Sequence, residues 1–309
     1  MGKTVDIITI LGHTAGGKTK LAANVGFTLN GEVISADSRQ VYRGMDIGTG
    51  KDYSDYVVKG TQVTTHLIDI VDAGYEYNVY EFQKDFFNAV EKIMKKSKLP
   101  VLCGGTGLYI ESLLRGYGMP SVSVNRALRD ELEGKSMQEL EKLLRSYKTL
   151  HNQSDTDTRK RAIRAIEIAE YISKNGQNIQ PFPEVNSITF GVRYTRDERR
   201  RRITERLTQR LEEGMVEEAE QLISSGLSFE KLEYYGLEYK FLAQYLSGRL
   251  SYDAMFSGLN TAIHRFAKRQ MTYFRGMERR GIPIHWIEGS LPLEEKIKAI
   301  IDLWNNHQG

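Results

Sequence analysis

Apolar residues in the first third of the chain follow two kinds of pattern. Val5 to Leu11 is a short, nearly continuous apolar run, and Glu32 to Ser35 and Pro100 to Leu102 resemble it, as expected for buried strands. Lys18 to Asn30 instead carries apolar residues at intervals of four, and a similar stripe runs from Asn78 to about Lys96, so both predict helices. Strands that alternate with helices predict a parallel sheet covered by helices on both faces.

The pattern changes between residues 118 and 180, where strand signals vanish and helical stripes such as Ile163, Ile166 and Ala169 take over. This change predicts an all-helical lobe over 118–180, inserted into an α/β core made of residues 1–117 and 181–309. After the lobe, the pattern predicts a strand at Ile188 to Val192, one long helix at Arg199 to Ser225, helices at Tyr239 to Leu246 and Tyr252 to Met277, a strand at Ile284 to Ile287 and a last helix at Leu293 to Trp304.

Size and composition narrow the class of protein. The chain has 309 residues, of which 40% are hydrophobic and 27% charged, and this is ordinary for a folded protein with more than one compact unit. A single cysteine, Cys103, excludes an internal disulfide and fits a reducing cytoplasm. No apolar run approaches the ~20 residues that span a bilayer, so we expect no membrane anchor. The net charge is only +3, but lysine and arginine concentrate in residues 159–164, 193–210 and 265–280, which suits phosphate contacts.

The loop between the first strand and the first helix matches the phosphate-binding pattern G-x-x-x-x-G-K-[ST]. In this setting glycines let backbone N–H groups converge on phosphate oxygens at a helix N-terminus, Lys18 adds a positive charge, and Thr19 can hold Mg²⁺. The loop alone leaves ATP, GTP and a prenyl diphosphate open, because all three present similar oxygens. The predicted phosphate-binding residues are Gly12, His13, Thr14, Ala15, Gly16, Gly17, Lys18 and Thr19.

Four further stretches follow this loop in order along the chain. They are Ile34 to Thr49, His66 to Ile70, Gly104 to Tyr109 and Ala267 to Arg275. Together with the loop they closely resemble the tRNA dimethylallyltransferase family, the isopentenyl transferases that modify an adenine beside the anticodon. The resemblance implies a P-loop NTPase-like parallel sheet flanked by helices. It also implies transfer of a dimethylallyl group from dimethylallyl diphosphate to N6 of the adenine at position 37 of tRNA, with release of diphosphate.

Asp37 is the candidate proton acceptor. An adenine N6 amine is a poor nucleophile because its lone pair is delocalised into the ring, so a carboxylate that takes its proton should help. Asp37 follows the second predicted strand, near the edge of the phosphate loop, which places it for that role. The resemblance implies the same role. An Asx turn that only shapes the backbone is the alternative.

The leaving diphosphate gains negative charge, so the reaction needs positioned donors and cations around it. Lys18, Thr14 and an arginine are the candidates. The resemblance implies that Arg206 binds the donor and that Thr106 lies close to the target nucleotide, while a solvated arginine face and a turn residue are the respective alternatives. Arg202 and Arg210 share the helix face of Arg206, and for them a solvated face explains the pattern equally well. The predicted catalytic residues are therefore Asp37, Thr106, Arg206 and Lys18.

A base inside an anticodon loop must be splayed out to reach a buried donor, which requires phosphate contacts and stacking partners. Residues 265–275 interleave charges with aromatics on a predicted helix, although such aromatics are as often core residues. The resemblance implies further tRNA contacts in the helical lobe. The predicted tRNA-binding residues are Asp37, Ser38, Arg39, Gln40, Thr106, Arg126, Lys160, Arg161, Arg164, Lys268, Arg269, Gln270 and Arg275.

The implied partners are dimethylallyl diphosphate, Mg²⁺ and the anticodon stem-loop of tRNA, and we expect a cytoplasmic monomer. Three alternatives stay open: a P-loop kinase of a small metabolite or nucleotide, a transferase acting on free AMP or ADP, and an RNA-binding protein that has lost catalysis. The lack of a lid segment with a clear catalytic arginine pair disfavours the kinase, and the basic helical lobe favours tRNA over a free nucleotide. The predicted catalytic residues, all present, argue against lost catalysis.

Overall fold

The computed structural model describes residues 4–116, 122–147, 156–176 and 182–308. The chain divides into two compact units, one made of Met1–Gly116 with Pro183–Gly309 and the other of Tyr117–Phe182. The lobe boundaries predicted from the sequence, at 117/118 and 180/181, lie outside the described residues.

The larger unit is built around a six-stranded parallel sheet. Its strands are β1 (Val5–Gly12), β2 (Gly31–Ser35), β5 (Thr65–His66), β6 (Leu99–Gly104), β7 (Val185–Arg193) and β8 (His285–Glu288), while β3 (Val57–Val58) and β4 (Thr61–Gln62) form a separate antiparallel pair. The six-stranded sheet has the order β5-β2-β6-β1-β7-β8, and every pair in it is parallel. The α/β fold with a parallel sheet flanked by helices is confirmed.

The helices account for most of the remaining described residues. Over the described ranges, none of them is long and apolar enough to cross a membrane. They are α1 (Lys18–Thr28), α2 (Val79–Lys95), α3 (Gly107–Leu114), α4 (Arg126–Glu133), α5 (Met137–Tyr147), α6 (Arg159–Asn175), α7 (Arg196–Glu212), α8 (Met215–Ser224), α9 (Phe229–Glu233), α10 (Leu237–Leu246), α11 (Tyr252–Arg279) and α12 (Leu293–Gln308), with a 3₁₀ helix at Tyr53–Tyr56.

The central strand β1 is buried on both faces, so its side chains divide between two cores. Ile7 and Leu11 pack with residues of α2, α3, α7, α8, α10 and α11 on one side of the sheet. Ile8 and Ile10 pack with residues of α1 and α12 on the other. Because both faces are buried, the sequence of β1 is a nearly continuous apolar run and does not alternate between apolar and polar residues.

The single long helix predicted at Arg199 to Ser225 is wrong. Helix α7 ends at Glu212 and α8 begins at Met215, with Gly214 between them at a φ of 99°. Such a conformation favours glycine and ends a helix. The apolar stripe of this segment keeps its spacing as far as Met215, so the periodicity alone concealed the break.

The described residues of the smaller unit contain only helices α4, α5 and α6. Its core is formed by apolar side chains that include Leu132, Leu140 and Ile166. Glu167 is buried in the same unit, where it accepts hydrogen bonds from the guanidinium groups of Arg129 and Arg164. The two arginines thus compensate a charge that would otherwise be costly to bury.

Glu32, near the start of β2, is a second buried carboxylate. His66 Nε2 lies 2.7 Å from its Oε2, and Lys96 and Lys98 donate to Oε1 at 3.1 and 3.0 Å. Burial opposes ionisation, but the hydrogen bonds from His66, Lys98 and Lys96 outweigh it and lower the pKa of Glu32 to about 2.

This cluster makes stability depend on pH. A carboxyl whose pKa is lowered on folding stabilises the fold above its ordinary value of 4.5, and that contribution is lost as the pH falls towards about 2. We expect Glu32→Gln to cost ~2 kcal/mol of the free energy of unfolding at pH 7, as measured by urea denaturation, and the deficit to shrink below pH 4. Glu294→Gln, at an exposed position of α12, is the control. A deficit of the same size at pH 7 and pH 3 would contradict this assignment.

Candidate functional site

The carboxyl ends of three neighbouring strands meet at one cavity. Strands β2, β6 and β1 lie side by side, and their register pairs Ser35 with Cys103 and Leu11 with Gly104, so the loops that follow them leave the sheet together. Crevices at this edge of a parallel sheet are where α/β proteins bind ligands. The cavity has a volume of about 440 Å³ and is lined by residues of all three loops and of α7, including Thr14, Lys18, Thr19, Asp37, Thr106 and Arg206.

The phosphate loop joins β1 to α1 as predicted. Gly17, at a φ of 70°, caps α1, and a left-handed conformation of this kind is accessible mainly to glycine. Lys18 Nζ donates a hydrogen bond of 2.7 Å to the backbone oxygen of His13, which holds the side chain over its own loop. Burial is the main cause that lowers the pKa of Lys18 to about 8, so the ammonium remains mostly charged at pH 7.

The side chain of His13 is completely buried. Its Nδ1 lies 2.6 Å from the backbone oxygen of Thr14, and its ring packs edge-on against Tyr194 with centroids 5.7 Å apart. Burial is the main cause that lowers the pKa of His13 to about 4, so the imidazole is neutral at pH 7. The His13 side chain therefore supplies no positive charge to the loop, and only its backbone is suited to the predicted phosphate-binding role.

Asp37 lies just beyond the end of β2 and lines the cavity. Its Oδ1 accepts a hydrogen bond of 2.9 Å from the backbone N–H of Arg39, so the Asx turn considered as an alternative is present. Within the described part of the chain, Oδ2 accepts no hydrogen bond, which leaves it able to take a proton. The neighbouring Ser38 N–H donates to Thr106 Oγ1 at 3.1 Å, and this contact joins the loops after β2 and β6.

Gln270 of α11 connects the phosphate loop to the loop that follows β6. Its Oε1 accepts from the backbone N–H of Thr14, and its Nε2 donates to the backbone oxygen of Gly105, both at 2.9 Å. The residue is only 8% exposed, although it borders the cavity. Gln270 was predicted as a tRNA-binding residue, and the structure places it as a link between the phosphate loop and the loop after β6.

Three arginines of α7, Arg202, Arg206 and Arg210, face the protein rather than solvent. Arg206 forms an ion pair with Asp52, and Arg202 donates from Nε to the backbone oxygen of Ala15 at 3.0 Å. Arg210 is buried, and burial is the main cause that lowers its pKa to about 10. The solvated arginine face considered from the sequence is therefore excluded for all three residues.

One wall of the cavity was missed by sequence analysis. Tyr234 and Tyr235 follow α9, and Glu238 lies in the first turn of α10, where burial is the main cause that raises the pKa of its carboxyl. The guanidinium carbon of Arg39 lies 5.4 Å from the ring centroid of Tyr234, so this wall contacts the loop that carries Asp37. Paired tyrosines directly before Gly236 were the available signal, since aromatics at a break between helices suit base stacking. Of the two, Tyr235 is only 1% exposed, and Tyr234 is partly exposed.

The aromatic residues of α11 divide between the core and the surface. Phe274 is completely buried, and Tyr273 donates its hydroxyl hydrogen to Glu111 at 2.6 Å. Phe266 is exposed and borders the cavity, with the guanidinium carbon of Arg269 at 5.9 Å from its ring centroid. The predicted tRNA-binding residues Lys268, Arg269 and Arg275 are exposed on this helix.

The basic residues predicted for tRNA in the smaller unit differ in exposure. Arg126, Lys160 and Arg161 are exposed. Arg164 is half-buried, pairs with Glu167 and donates to the backbone oxygen of Val122 at 2.9 Å. Arg164 thus has a structural role inside its own unit, and the other three present their charges at its surface.

Comparisons with known proteins extend the similarity over the whole chain. A family model described as IPP transferase matches residues 40–277. The tRNA dimethylallyltransferase 2 of Bacteroides fragilis is 58% identical over 295 residues, which cover 96% of each chain, and that of Phocaeicola vulgatus is 57% identical over 298 residues, which cover 96% of this chain and 97% of the other. The crystal structure of a tRNA isopentenylpyrophosphate transferase from Bacillus halodurans is similar with a TM-score of 0.71 and 31% identity, covering 99% of this chain and 96% of that one.

Proposed function

Because this chain belongs to the IPP transferase family, that of the tRNA dimethylallyltransferases, and is a transferase, we propose that it transfers a dimethylallyl group from dimethylallyl diphosphate to N6 of the adenine at position 37 of tRNA. The observation that carries the proposal is the shared cavity. Asp37 and Thr106 line it together with Lys18, Thr19 and Arg206, so an acceptor amine and a diphosphate have room beside one another.

The reaction proceeds by one displacement. The N6 nitrogen forms a bond to C1 of the dimethylallyl group while the bond between C1 and the bridging diphosphate oxygen breaks, and that oxygen keeps the electron pair. Asp37 takes the proton that N6 loses. Lys18 and Arg206 stabilise the charge that grows on the leaving diphosphate, which is the largest contribution expected from such a site.

Mg²⁺ fits this site as a partner of the diphosphate. Among the described residues no group of three or more His, Cys, Asp or Glu could hold a metal, so these side chains alone do not form a metal site. Thr19 lies at the start of α1 on the cavity wall, where its hydroxyl would be a ligand beside phosphate oxygens. Bound there, Mg²⁺ would neutralise part of the charge of the leaving group.

The tRNA would meet the exposed basic residues of both units. We propose phosphate contacts for Lys268, Arg269 and Arg275 on α11 and for Arg126, Lys160 and Arg161 in the smaller unit, while Ser38, Arg39 and Gln40 lie beside Asp37 near the target base. The enzyme is proposed to act as a cytoplasmic monomer.

Salt dependence of tRNA binding tests the α11 contacts. Each phosphate contact releases a counterion, so Lys268→Gln combined with Arg269→Gln should make the slope of log Kd against log salt concentration shallower by about 1 to 2. Fluorescence anisotropy with labelled tRNA, at KCl concentrations from about 50 to about 300 mM, would measure this slope. Lys298→Gln, exposed on α12, is the matched control. An unchanged slope in the double variant would remove these residues from the tRNA contact surface.

Label transfer tests the function itself. The protein is incubated with Mg²⁺, labelled dimethylallyl diphosphate and either tRNA or AMP, and in parallel with labelled ATP and candidate small acceptors. We expect label to enter tRNA alone, with the modified base at position 37. Label in AMP would support the free-nucleotide alternative, and phosphate transfer from ATP would support the kinase.

A further inference from the structure

Asp52 contacts the arginine that the proposed function assigns to the donor. Its Oδ2 pairs with Arg206 Nη2, and its Oδ1 lies 3.9 Å from Arg210 Nη2. All three side chains border a second cavity of about 570 Å³, which also reaches Ala15 of the phosphate loop. A single carboxylate thus faces two guanidinium groups next to the loop that is suited to a diphosphate.

Arg206 and Arg210 share one ion-paired carboxylate, that of Asp52. The Arg210 side chain is only 10% exposed, and Asp52, which is 42% exposed, is its one ion-pair partner among the described residues. Glu238 affects the pKa of Arg210 through space, but it forms no ion pair within that part of the chain. A buried guanidinium requires a compensating anion, and Arg206 shares the same carboxylate. Glu213, which borders the same cavity, also affects the pKa of Arg210 through space, but among the described residues Asp52 is the carboxylate that pairs with both guanidinium groups.

Gly50 packs directly against the two arginines. The backbone of Gly50 packs so closely on them that an added Cβ would lie 1.8 Å from Arg210 Nη2 and 2.8 Å from Arg206 Nη2. Gly50 is fixed in turn, because Gln40 Nε2 donates to its backbone oxygen at 3.0 Å. A glycine at position 50 thus leaves room for both guanidinium groups, while the Asp52 side chain, which is 42% exposed, borders the cavity beside them.

We propose that Asp52 competes with the donor diphosphate for Arg206 and Arg210, and that Arg210 is a second diphosphate-binding residue. The inference rests on the proposed function, which supplies the diphosphate. Donor binding is then an exchange of anions. Diphosphate displaces one tethered carboxylate, and Asp52 therefore raises the Kd of any anion that must take its place by the same factor.

Binding of inorganic pyrophosphate and of inorganic phosphate to the full chain, measured by calorimetry with Mg²⁺ present, tests the exchange. We expect Asp52→Asn to lower the Kd of pyrophosphate and that of phosphate by a similar factor, about 5-fold, because the competing charge is gone. Asp52→Glu should retain the wild-type values. Arg210→Gln should raise the Kd of pyrophosphate about 10-fold, and Arg210→Lys by less. Asp55→Asn is the matched control, since this carboxylate borders the same cavity without an ion pair to an arginine among the described residues.

The outcomes separate the possible roles. An unchanged or higher Kd in Asp52→Asn means that Asp52 positions Arg206 instead of competing, and overturns the exchange; an unchanged Kd in Arg210→Gln removes Arg210 from the diphosphate site. Thermal unfolding monitors folding, and Asp52→Ser repeats the measurement should Asp52→Asn be unstable. The proposed function fails by a different result: tight pyrophosphate binding that responds to these variants, with no label entering tRNA, would overturn the acceptor and leave the exchange standing.

Discussion

Asp37→Asn is expected to reduce kcat for prenyl transfer to tRNA by roughly 100- to 10,000-fold, the usual contribution of a positioned proton acceptor. The asparagine oxygen still accepts the hydrogen bond that Arg39 N–H gives to Asp37 Oδ1, so the turn is kept and only the ability to take a proton is lost. Single-turnover assays with saturating tRNA would measure the chemical step directly.

Asp37→Ala provides the comparison that separates the two roles of this residue. If Asp37 acts as the proton acceptor, both variants lose activity to a similar extent, while the Kd of pyrophosphate stays close to that of the wild type. If the Asx turn is its whole contribution, Asp37→Asn retains near-normal turnover and only Asp37→Ala is impaired. That second pattern would end the proposed role.

Lys18→Met is expected to weaken pyrophosphate binding by roughly 100-fold and to lower kcat, because it removes the cation of the phosphate loop while keeping the length of the side chain. Since the pKa of Lys18 is lowered to about 8, wild-type affinity should also fall as the pH rises through about 8, and this fall should be absent in Lys18→Met.

Lys20→Met is the control, because Lys20 is exposed two residues further along α1. Titration calorimetry from pH 6.5 to 9.5 would cover the transition, a window of roughly 1.5 units on each side of it. A Lys18→Met protein that binds pyrophosphate as tightly as the Lys20→Met protein would show that the loop does not hold the donor.

Much of the sheet could be predicted because its signals are local. A strand buried on both faces is apolar along most of its length, as β1 is. A capping residue marks the start of a helix, as Asn78 does for α2. Strands β3, β4 and β5 have two residues each, which is too short for any periodicity to register. Helix α3 begins inside a glycine-rich segment that composition alone assigns to a loop.

The candidate site was predictable where it follows the ends of strands. The phosphate loop, Asp37 and Thr106 each come directly after a strand of a parallel sheet, so their proximity follows from topology. Asp52 and Glu238 reach the same region through the packing of α7 and α10 against distant loops, and no local pattern distinguishes them from the other acidic residues. The tRNA-contact and metal-binding assignments stay predictions.

The position of β1 in the middle of the sheet bears on how the protein is made. Its edges pair with β6 and β7, and Val5 lies opposite Val185, so β1 leaves the ribosome before either of the strands that flank it. At about 5–20 residues per second, roughly 10–40 s pass between synthesis of Gly12 and of Arg193. Throughout that interval the nascent chain carries an apolar strand with an unpaired edge, which is a template for aggregation and a binding site for chaperones. Productive folding in the cell should therefore depend on whether chaperones cover β1 until β7 has been synthesised.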